Sequence, residues 1–179
     1  MGSGSSFSCP ITFDGQLTEK QQLQYQNVDT IKHILNHCRT IAIVGLSAES
    51  HKASNFVGTY LRSAGYKVIP VNPRADEIFG LPCYPDLASI PEPIDLVDIF
   101  RPAGECLTIV EQAIACKAKA VWLQLKIVNH DAAKLAYDAG LMTVMDKCIK
   151  MEHGRYQGGL HAAGMNTEII SAKRSHRYV

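Results

Sequence analysis

The first informative absences are those of long apolar runs and of a charge imbalance. No apolar run in the sequence approaches the roughly 18 residues that a membrane-spanning helix requires, so no membrane partner is expected. Lysine and arginine total 18 residues against 17 aspartates and glutamates, which gives a formal net charge of +1. Without a basic excess, nucleic acid is not favoured as a partner either.

The cysteines lack a pairing pattern. Disulfide frameworks belong mainly to small secreted chains, and no apolar signal-peptide core stands near the first residues. We therefore expect reduced thiols and a cytoplasmic protein. The six cysteines, with no CxxC pair among them, are Cys9, Cys38, Cys83, Cys106, Cys116 and Cys148.

Recognisable catalytic and metal-binding motifs are also missing. There is no HExxH motif, Walker loop or nucleophile elbow. His33 and His37 lie four residues apart on a predicted helix, but without a third ligand nearby in sequence a polar helix face is favoured over a metal pair. Lys147 could lower the pKa of the Cys148 thiol, yet no histidine partner is evident, so an ordinary thiol is favoured. We predict no catalytic residue, no metal site and no complete enzyme.

What the sequence does contain is a regular alternation of apolar strands and amphipathic helices. This alternation predicts an α/β fold: a Rossmann-like, doubly wound parallel sheet of about five strands in three layers, α/β/α. Pro70 in the second strand indicates a sheet edge. The predicted strands cover residues 40–44, 67–71, 94–100, 120–124 and 142–145. The predicted helices cover residues 18–38, with Asp29 capping the second part, then 54–64, 106–116 and 131–139, and the loop 72–93 is given one helical turn at Leu87.

The alternation also divides the chain into three segments. Residues 1–39 are predicted to form an N-terminal arm and helix, residues 40–153 a nucleotide-binding domain, and residues 154–179 a C-terminal extension. The extension is compatible with covering the ligand crevice, with packing in a homodimer, or with remaining unpacked.

The loop after the first predicted strand favours a phosphate. Ligands of doubly wound sheets bind at the carboxyl ends of the strands, near the switch point. The usual three glycines of a dinucleotide site read Gly45, Ser47 and Ser50 here. Lys52 and the helix start at Ser54 and Asn55 supply instead a lysine, hydroxyls and helix N-terminal amides, which together suit a phosphate. The alternative is that Ser54 only caps the helix.

The residues after the next strands extend this predicted site. The second strand ends in Asn72, Pro73 and Arg74, with no acid for ribose hydroxyls. Arg74 could hold a ribose phosphate, either the 2′-phosphate of NADP or the 3′-phosphate of coenzyme A, or could be a solvated turn residue. Arg101, after the third strand, could contact a pyrophosphate or pair with Asp98 or Asp146. The amides of Gln124 and Asn129, after the fourth strand, suit an adenine or a pantetheine amide.

Taken together and in order, several short motifs resemble the small CoA-binding domain proteins. That family resembles in turn the N-terminal CoA-binding domain of the succinyl-CoA synthetase alpha subunit. The resemblance covers about Thr40 to His153. The motifs that carry it are Ile43-Val-Gly-Leu-Ser47, Lys52-Ala-Ser54, Val68-Ile-Pro-Val-Asn-Pro73, Asp98-Ile-Phe-Arg101, Val121-Trp-Leu-Gln124 and Met145-Asp-Lys-Cys148.

The resemblance implies a cofactor, coenzyme A or an acyl-CoA, lying along the carboxyl edge of the sheet. It implies that Gly45, Leu46, Ser47 and Lys52 lie by the phosphates and that residues 72–74 lie by the adenosine end. In the larger synthetases the phosphorylated catalytic histidine lies in a second domain, for which this sequence has no room. The alternatives are an NADP-dependent oxidoreductase, and a regulatory or interaction subunit of an acyl-CoA synthetase-type complex.

Overall fold

A computed structural model describes residues 16–157 and contains one five-stranded parallel sheet. In chain order the strands are β1 (Thr40–Val44), β2 (Lys67–Val71), β3 (Glu77–Ile78), β4 (Leu81–Pro82), β5 (Leu96–Ile99), β6 (Ala120–Leu123) and β7 (Met142–Met145). The helices are α1 (Glu19–Tyr25), α2 (Val28–His37), α3 (Ala53–Ser63), α4 (Cys106–Ala115), α5 (His130–Asp138) and α6 (Ile149–Tyr156), with a short 3-10 helix at Ala103–Glu105.

The sheet is buried on both faces, which explains why its strands read as continuous apolar runs. Strand β1, for example, has Ile41, Ala42 and Ile43 fully buried. One apolar cluster joins the sheet to α4 and α5, and the other joins it to α2, α3 and α6. The three-layer α/β/α fold predicted from the sequence is therefore confirmed.

The order of the strands places a switch point at the centre of the sheet. The five strands run β2-β1-β5-β6-β7, and every neighbouring pair is parallel. The chain moves outward from β1 to β2 and then returns to the other side of β1 as β5. At such a point the connections leave the strand ends in opposite directions, so a crevice opens between the carboxyl ends of β1 and β5.

Strand β2 is an edge strand of this sheet, as Pro70 predicts. A proline has no N–H to donate to a neighbouring strand, and on an edge strand this N–H is not needed for pairing on the outer side. The Pro70 carbonyl still accepts a hydrogen bond from the Tyr84 amide at 3.0 Å.

The long loop after β2 is more ordered than the sequence predicts. The helical turn expected at Leu87 is wrong, because Leu87 lies buried in a non-helical turn. Residues 72–93 contain instead the hairpin formed by β3 and β4. Its two turn residues, Phe79 and Gly80, both have positive φ (61° and 73°), as a tight two-residue hairpin requires. A phenylalanine is an unusual residue for that conformation, which concealed the hairpin in the sequence.

Three further elements differ from the prediction. The first helical segment breaks into α1 and α2, and the cap of α2 is Asn27, whose Oδ1 accepts from the Thr30 amide at 3.0 Å, rather than Asp29. The third strand spans only four residues, and the Asp95 carboxylate just before it accepts hydrogen bonds from the amides of Arg39 and Thr40. Helix α6 was not predicted.

The predicted outer segments lie only partly within the part of the chain that the structure describes. Residues 1–15, including Cys9, and residues 158–179 lie outside it. Helix α6 runs across the predicted boundary between the domain, which ends at residue 153, and the C-terminal extension, which begins at residue 154. Between residues 16 and 157, no helix has both the length and the apolar character needed to cross a membrane.

Candidate functional site

The crevice at the switch point is set by a glycine. Gly45 directly follows β1 and has a φ of +87°, a conformation that side chains with a Cβ rarely adopt. A Cβ on Gly45 would stand 2.5 Å from the Phe100 carbonyl oxygen and 2.8 Å from Cδ of Arg101. Its amide donates to the Val71 carbonyl at 2.8 Å. Gly45 therefore lets the ends of β1, β2 and β5 approach closely.

The loop that follows Gly45 is held by two buried side chains of α3. The Ser47 amide donates to Oγ of Ser54 at 3.1 Å, and Nδ2 of Asn55 donates to the Ser47 carbonyl at 2.8 Å. Ser54 and Asn55 are only 6% and 7% exposed. Ser54 is not the helix cap, since that position belongs to Lys52. The two residues instead fix the backbone of Ser47.

The N-terminus of α3 faces this loop with its amides uncapped. Lys52, the N-cap residue, makes no side-chain capping hydrogen bond. The first regular helical amide is that of Phe56, which donates to the Lys52 carbonyl at 3.1 Å. Open first-turn amides and the helix dipole make this end electropositive, and the ammonium group of Lys52 adds to it. The arrangement suits an anion.

Asn72 ties the loop after β2 to the loop after β1. Its Nδ2 donates to the Leu46 carbonyl at 2.8 Å, and its Oδ1 accepts from the Arg74 amide at 3.0 Å. Leu46 is fully buried, so its side chain is part of the core and does not face a ligand. The side chain of Arg74 is exposed. Asn72 is therefore a positioning residue that holds the two strand-end loops together.

A cleft of about 360 Å³ opens beside Gly45 on the α4 side of the sheet. Its walls include the apolar side chains of Val44, Val71 and Pro73, and its polar groups come from Asp86, Arg101, Glu105, Thr108 and Gln112. Its size and its combination of apolar walls with polar groups are typical of small-molecule sites. Of the residues predicted from the sequence, Gly45, Pro73 and Arg101 line it.

Arg101 has a partner that the sequence reading did not consider. Its Nε and Nη2 donate to the two carboxylate oxygens of Glu105 at 2.8 and 3.0 Å. The predicted alternatives, Asp98 and Asp146, are wrong, because Asp98 is buried and bonded to Gln124, and Asp146 accepts from a neighbouring backbone amide. The side chain of Arg101 is still 34% exposed, so it can contact a ligand at the mouth of the cleft.

The amides of Gln124 and Asn129 are already occupied by protein partners. Gln124 donates to Oδ1 of Asp98 at 2.7 Å and accepts from the Ile149 amide at 3.4 Å. Asn129 caps α5 and donates to the Ala103 carbonyl at 2.8 Å. A ligand contact at either residue would require one of these hydrogen bonds to be exchanged.

Asp98 is a functional candidate that the sequence reading missed. It stands in β5 between Ile43 and Trp122 and is fully buried. Burial raises the pKa of its carboxyl group to about 7, against the opposing effect of the hydrogen bond from Gln124. Its Oδ2 has no hydrogen-bond partner within residues 16–157. The apolar pattern of the strand concealed it, although an aspartate in a central parallel strand is itself a signal.

Cys148 is the N-cap residue of α6, but its side chain makes no capping hydrogen bond. Burial raises its pKa, and the backbone amides of Met151 and Lys150 lower it less than burial raises it. Lys147, considered from the sequence as the residue that lowers this pKa, is not among the groups that act on the thiol; the nearby lysine that lowers the pKa is Lys150. His33 and His37 have stacked rings 4.1 Å apart, and in the described part of the chain no cluster of three ligands could hold a metal.

Comparisons with known proteins agree with this architecture. A family model described as a CoA binding domain matches residues 39–154. YneT of Bacillus subtilis is 37% identical over 123 residues, which cover 69% of this chain and 91% of that protein. The structure of a hypothetical protein from Pyrococcus horikoshii superposes with a TM-score of 0.70 and is 41% identical in sequence. The match covers 72% of this chain and 90% of that protein.

A third similarity reaches a much larger enzyme. The ADP-forming acetate–CoA ligase I of Archaeoglobus fulgidus is 40% identical over 74 residues, which are 41% of this chain but only 11% of the ligase. Because the family model matches residues 39–154, more than half of the chain, the chain belongs to the CoA-binding domain family, which is related to the acyl-CoA synthetases.

Proposed function

We propose that this protein binds coenzyme A or an acyl-CoA along the carboxyl ends of β1, β2 and β5. The observation that carries the proposal is the cleft beside Gly45, which adjoins the loop leading to the uncapped N-terminus of α3. A partly apolar cleft next to an electropositive helix end offers one surface for a base and another for phosphates. The family match supports this choice of ligand.

The adenine and the phosphates of the nucleotide would contact different parts of the site. The adenine would lie against the apolar walls of the cleft, near Val44 and Val71. The pyrophosphate would meet the open amides of α3 and the ammonium group of Lys52. Arg74, exposed after β2, would reach the 3′-phosphate, for which its planar group is well suited. Arg101 would contact the pyrophosphate in exchange for Glu105 or alongside it.

We further propose that the protein carries out no acyl transfer by itself. In this reading it carries or senses the cofactor, or serves as the CoA-binding component beside a separate synthetase chain. The resemblance places the phosphorylated histidine of the larger synthetases in another domain. The oxidoreductase alternative gains no support from the relatives with a named activity, and Gly45, Ser47 and Ser50 do not form a dinucleotide glycine pattern.

A thermal-shift comparison of CoA, acetyl-CoA, NADP and NAD tests the ligand class. A ligand at about 100 times its Kd stabilises the native state by about 2.7 kcal/mol, which for a domain of this size raises Tm by roughly 5–10 °C. We expect that shift for CoA and acetyl-CoA but not for NAD. A shift with NADP and none with CoA would overturn the proposal.

Substituting Arg74 tests the reading of the 3′-phosphate. Arg74→Ala should weaken CoA binding by about 1.5–3 kcal/mol, the range for hydrogen bonds to charged groups, and should affect dephospho-CoA much less. Calorimetric titration of both ligands measures the difference. Arg39→Ala is the matched control, because Arg39 is also exposed but precedes β1 at the opposite edge of the sheet. Equal losses for both ligands would show that Arg74 does not read that phosphate.

A further inference from the structure

The charges of the cleft beside Gly45 favour an uncharged group inside it. Arg101 and Glu105 both line the cleft, and they form an ion pair through two hydrogen bonds, so their charges cancel. Asp86 also lines the cleft, and the groups that act on its carboxyl are its neighbours Ser89 and Ala88 rather than a lysine or an arginine. The interior therefore carries a net negative charge, which repels a phosphate.

The carboxylate of Asp86 is held by one of its oxygens and leaves the other unused. Oδ1 accepts hydrogen bonds from the amide of Ser89 at 2.8 Å and from its hydroxyl at 2.7 Å. These bonds lower the pKa of the Asp86 carboxyl below its usual value, so the group is ionised at neutral pH. Across the described residues, Oδ2 takes part in no hydrogen bond. Asp86 therefore offers the cleft a fixed, charged acceptor.

An unused donor lies next to this acceptor. Oε1 of Gln112, in α4, accepts from the amide of Leu87, the residue that follows Asp86, at 3.5 Å. Gln112 and Asp86 therefore border the cleft as neighbours. Because the Gln112 oxygen is the atom that faces Leu87, its NH₂ group is left to the cleft, and between residues 16 and 157 that group has no partner.

An acceptor beside a donor complements the amino edge of adenine. The N6 amino group of adenine is a donor, and the adjacent ring nitrogen N1 is an acceptor. The two faces of the ring are suited to apolar contacts, which Val44, Val71 and Ile109 supply in the same cleft. The base is also uncharged, so it avoids the repulsion that a phosphate would meet beside Asp86.

We propose that Asp86 and Gln112 read the amino edge of the CoA adenine, with N6 donating to Oδ2 of Asp86 and Nε2 of Gln112 donating to N1. This inference rests on the proposed function, because it assigns two specificity residues within the same nucleotide site. It also orients the ligand: with the base inside the cleft, on the α4 side of the sheet, the phosphates lie at its mouth, toward α3. Both residues come from outside the strand-end positions that the sequence predicts.

Two ligands test the proposal on the unsubstituted protein. 1,N6-etheno-CoA differs from CoA only at the base, where an added carbon bridge removes the N6 hydrogens and blocks N1. Its base leaves both the Asp86 oxygen and the Gln112 donor unpaired, and the loss of a hydrogen bond to a charged group weakens binding by at least about tenfold. We therefore expect calorimetric titration to give a Kd for etheno-CoA that is higher than that for CoA by at least about tenfold.

Asp86→Asn assigns this discrimination to Asp86. The asparagine keeps an oxygen for the Ser89 hydrogen bonds and replaces Oδ2 with an NH₂ group, which cannot accept from N6. CoA affinity should fall by about tenfold or more, whereas etheno-CoA, whose N6 is now an acceptor, should bind as well as before or better. Glu111→Gln is the matched control: it removes the same charge from an exposed neighbour of Gln112 outside the cleft, and should change neither affinity. Equal losses of both ligands in Asp86→Asn would contradict the proposal.

Gln112→Glu tests the donor. The glutamate keeps an oxygen for the Leu87 amide and turns the donor into an acceptor, which opposes N1. We expect it to weaken CoA by about tenfold or more and to affect etheno-CoA much less; an unchanged CoA affinity would overturn the pairing with N1.

The two-ligand comparison also separates this inference from the proposed function. If CoA and etheno-CoA bind equally tightly, the reading of adenine is overturned and the CoA-binding function stands. If neither ligand binds, both fail. This comparison requires no substitution, so its outcome does not depend on how the variants fold.

Discussion

Replacing Gly45 with alanine is expected to lower the free energy of unfolding by about 2–5 kcal/mol. A residue with a Cβ at positive φ costs roughly 1–3 kcal/mol when the surroundings enforce that conformation. The new Cβ would also stand 2.5 Å from the Phe100 carbonyl oxygen, a backbone atom that cannot rotate away. Since domains are stable by only about 5–15 kcal/mol, this is a large fraction. Urea denaturation measures it.

A second glycine separates the two contributions. Gly140 has φ +84°, but nothing lies within 4 Å of its Cβ position. Gly140→Ala should therefore show the conformational cost alone, about 1–2 kcal/mol, and should leave CoA binding unchanged because Gly140 precedes β7 at the other edge of the sheet. Gly45→Ala should also lose CoA affinity, since the strand ends must separate. Equal destabilisation by both substitutions would contradict the close approach at Gly45.

The parts of the fold that the sequence predicts well are those set by local patterns. The run 40–44 followed by Gly45 specifies a buried strand and a sharp turn, and Pro70 specifies an edge, because each depends on a few adjacent residues. Helix α6 escaped detection because Glu152 and His153 are buried polar residues on its inner side. Burial of polar groups depends on partners supplied by the tertiary structure, such as Tyr60 for His153, and no local period reveals it.

The candidate site likewise has features that the sequence predicts and features that only the packed structure shows. Topology alone brings residues 45–55 and 72–74 to one edge of the sheet, because carboxyl ends of parallel strands meet there. Which side chains remain free to bind is not a local property. Gln124 is engaged by Asp98, 26 positions away in sequence, and only the packed structure shows this. The pairing of Arg101 with Glu105 could have been found, since an i,i+4 pair of opposite charge is visible in sequence.

Asp98 should make the protein less stable as the pH rises from about 4 to about 7. The unfolded carboxyl has a pKa near 3.9, while burial raises the folded value to about 7. Across that window the folded state retains a proton that the unfolded state has released, so the free energy of unfolding falls with pH and levels off above the folded pKa. A shift of about three pH units corresponds to roughly 4 kcal/mol.

Asp98→Asn isolates this contribution because the amide is isosteric and does not titrate. Its oxygen can keep the hydrogen bond from Gln124, whereas its NH₂ group lacks a partner and costs about 1–3 kcal/mol. We therefore expect the variant to gain roughly 2–3 kcal/mol of stability relative to the parent between pH 5 and pH 8, with urea denaturation at both pH values measuring the change. Burial lowers the pKa of His153, so its contribution to the free energy of unfolding is lost as the pH falls. This contribution is the same in both proteins and cancels in the difference between them. A difference between the two proteins that stays constant from pH 5 to pH 8 would mean that the Asp98 carboxyl does not hold its proton through this range.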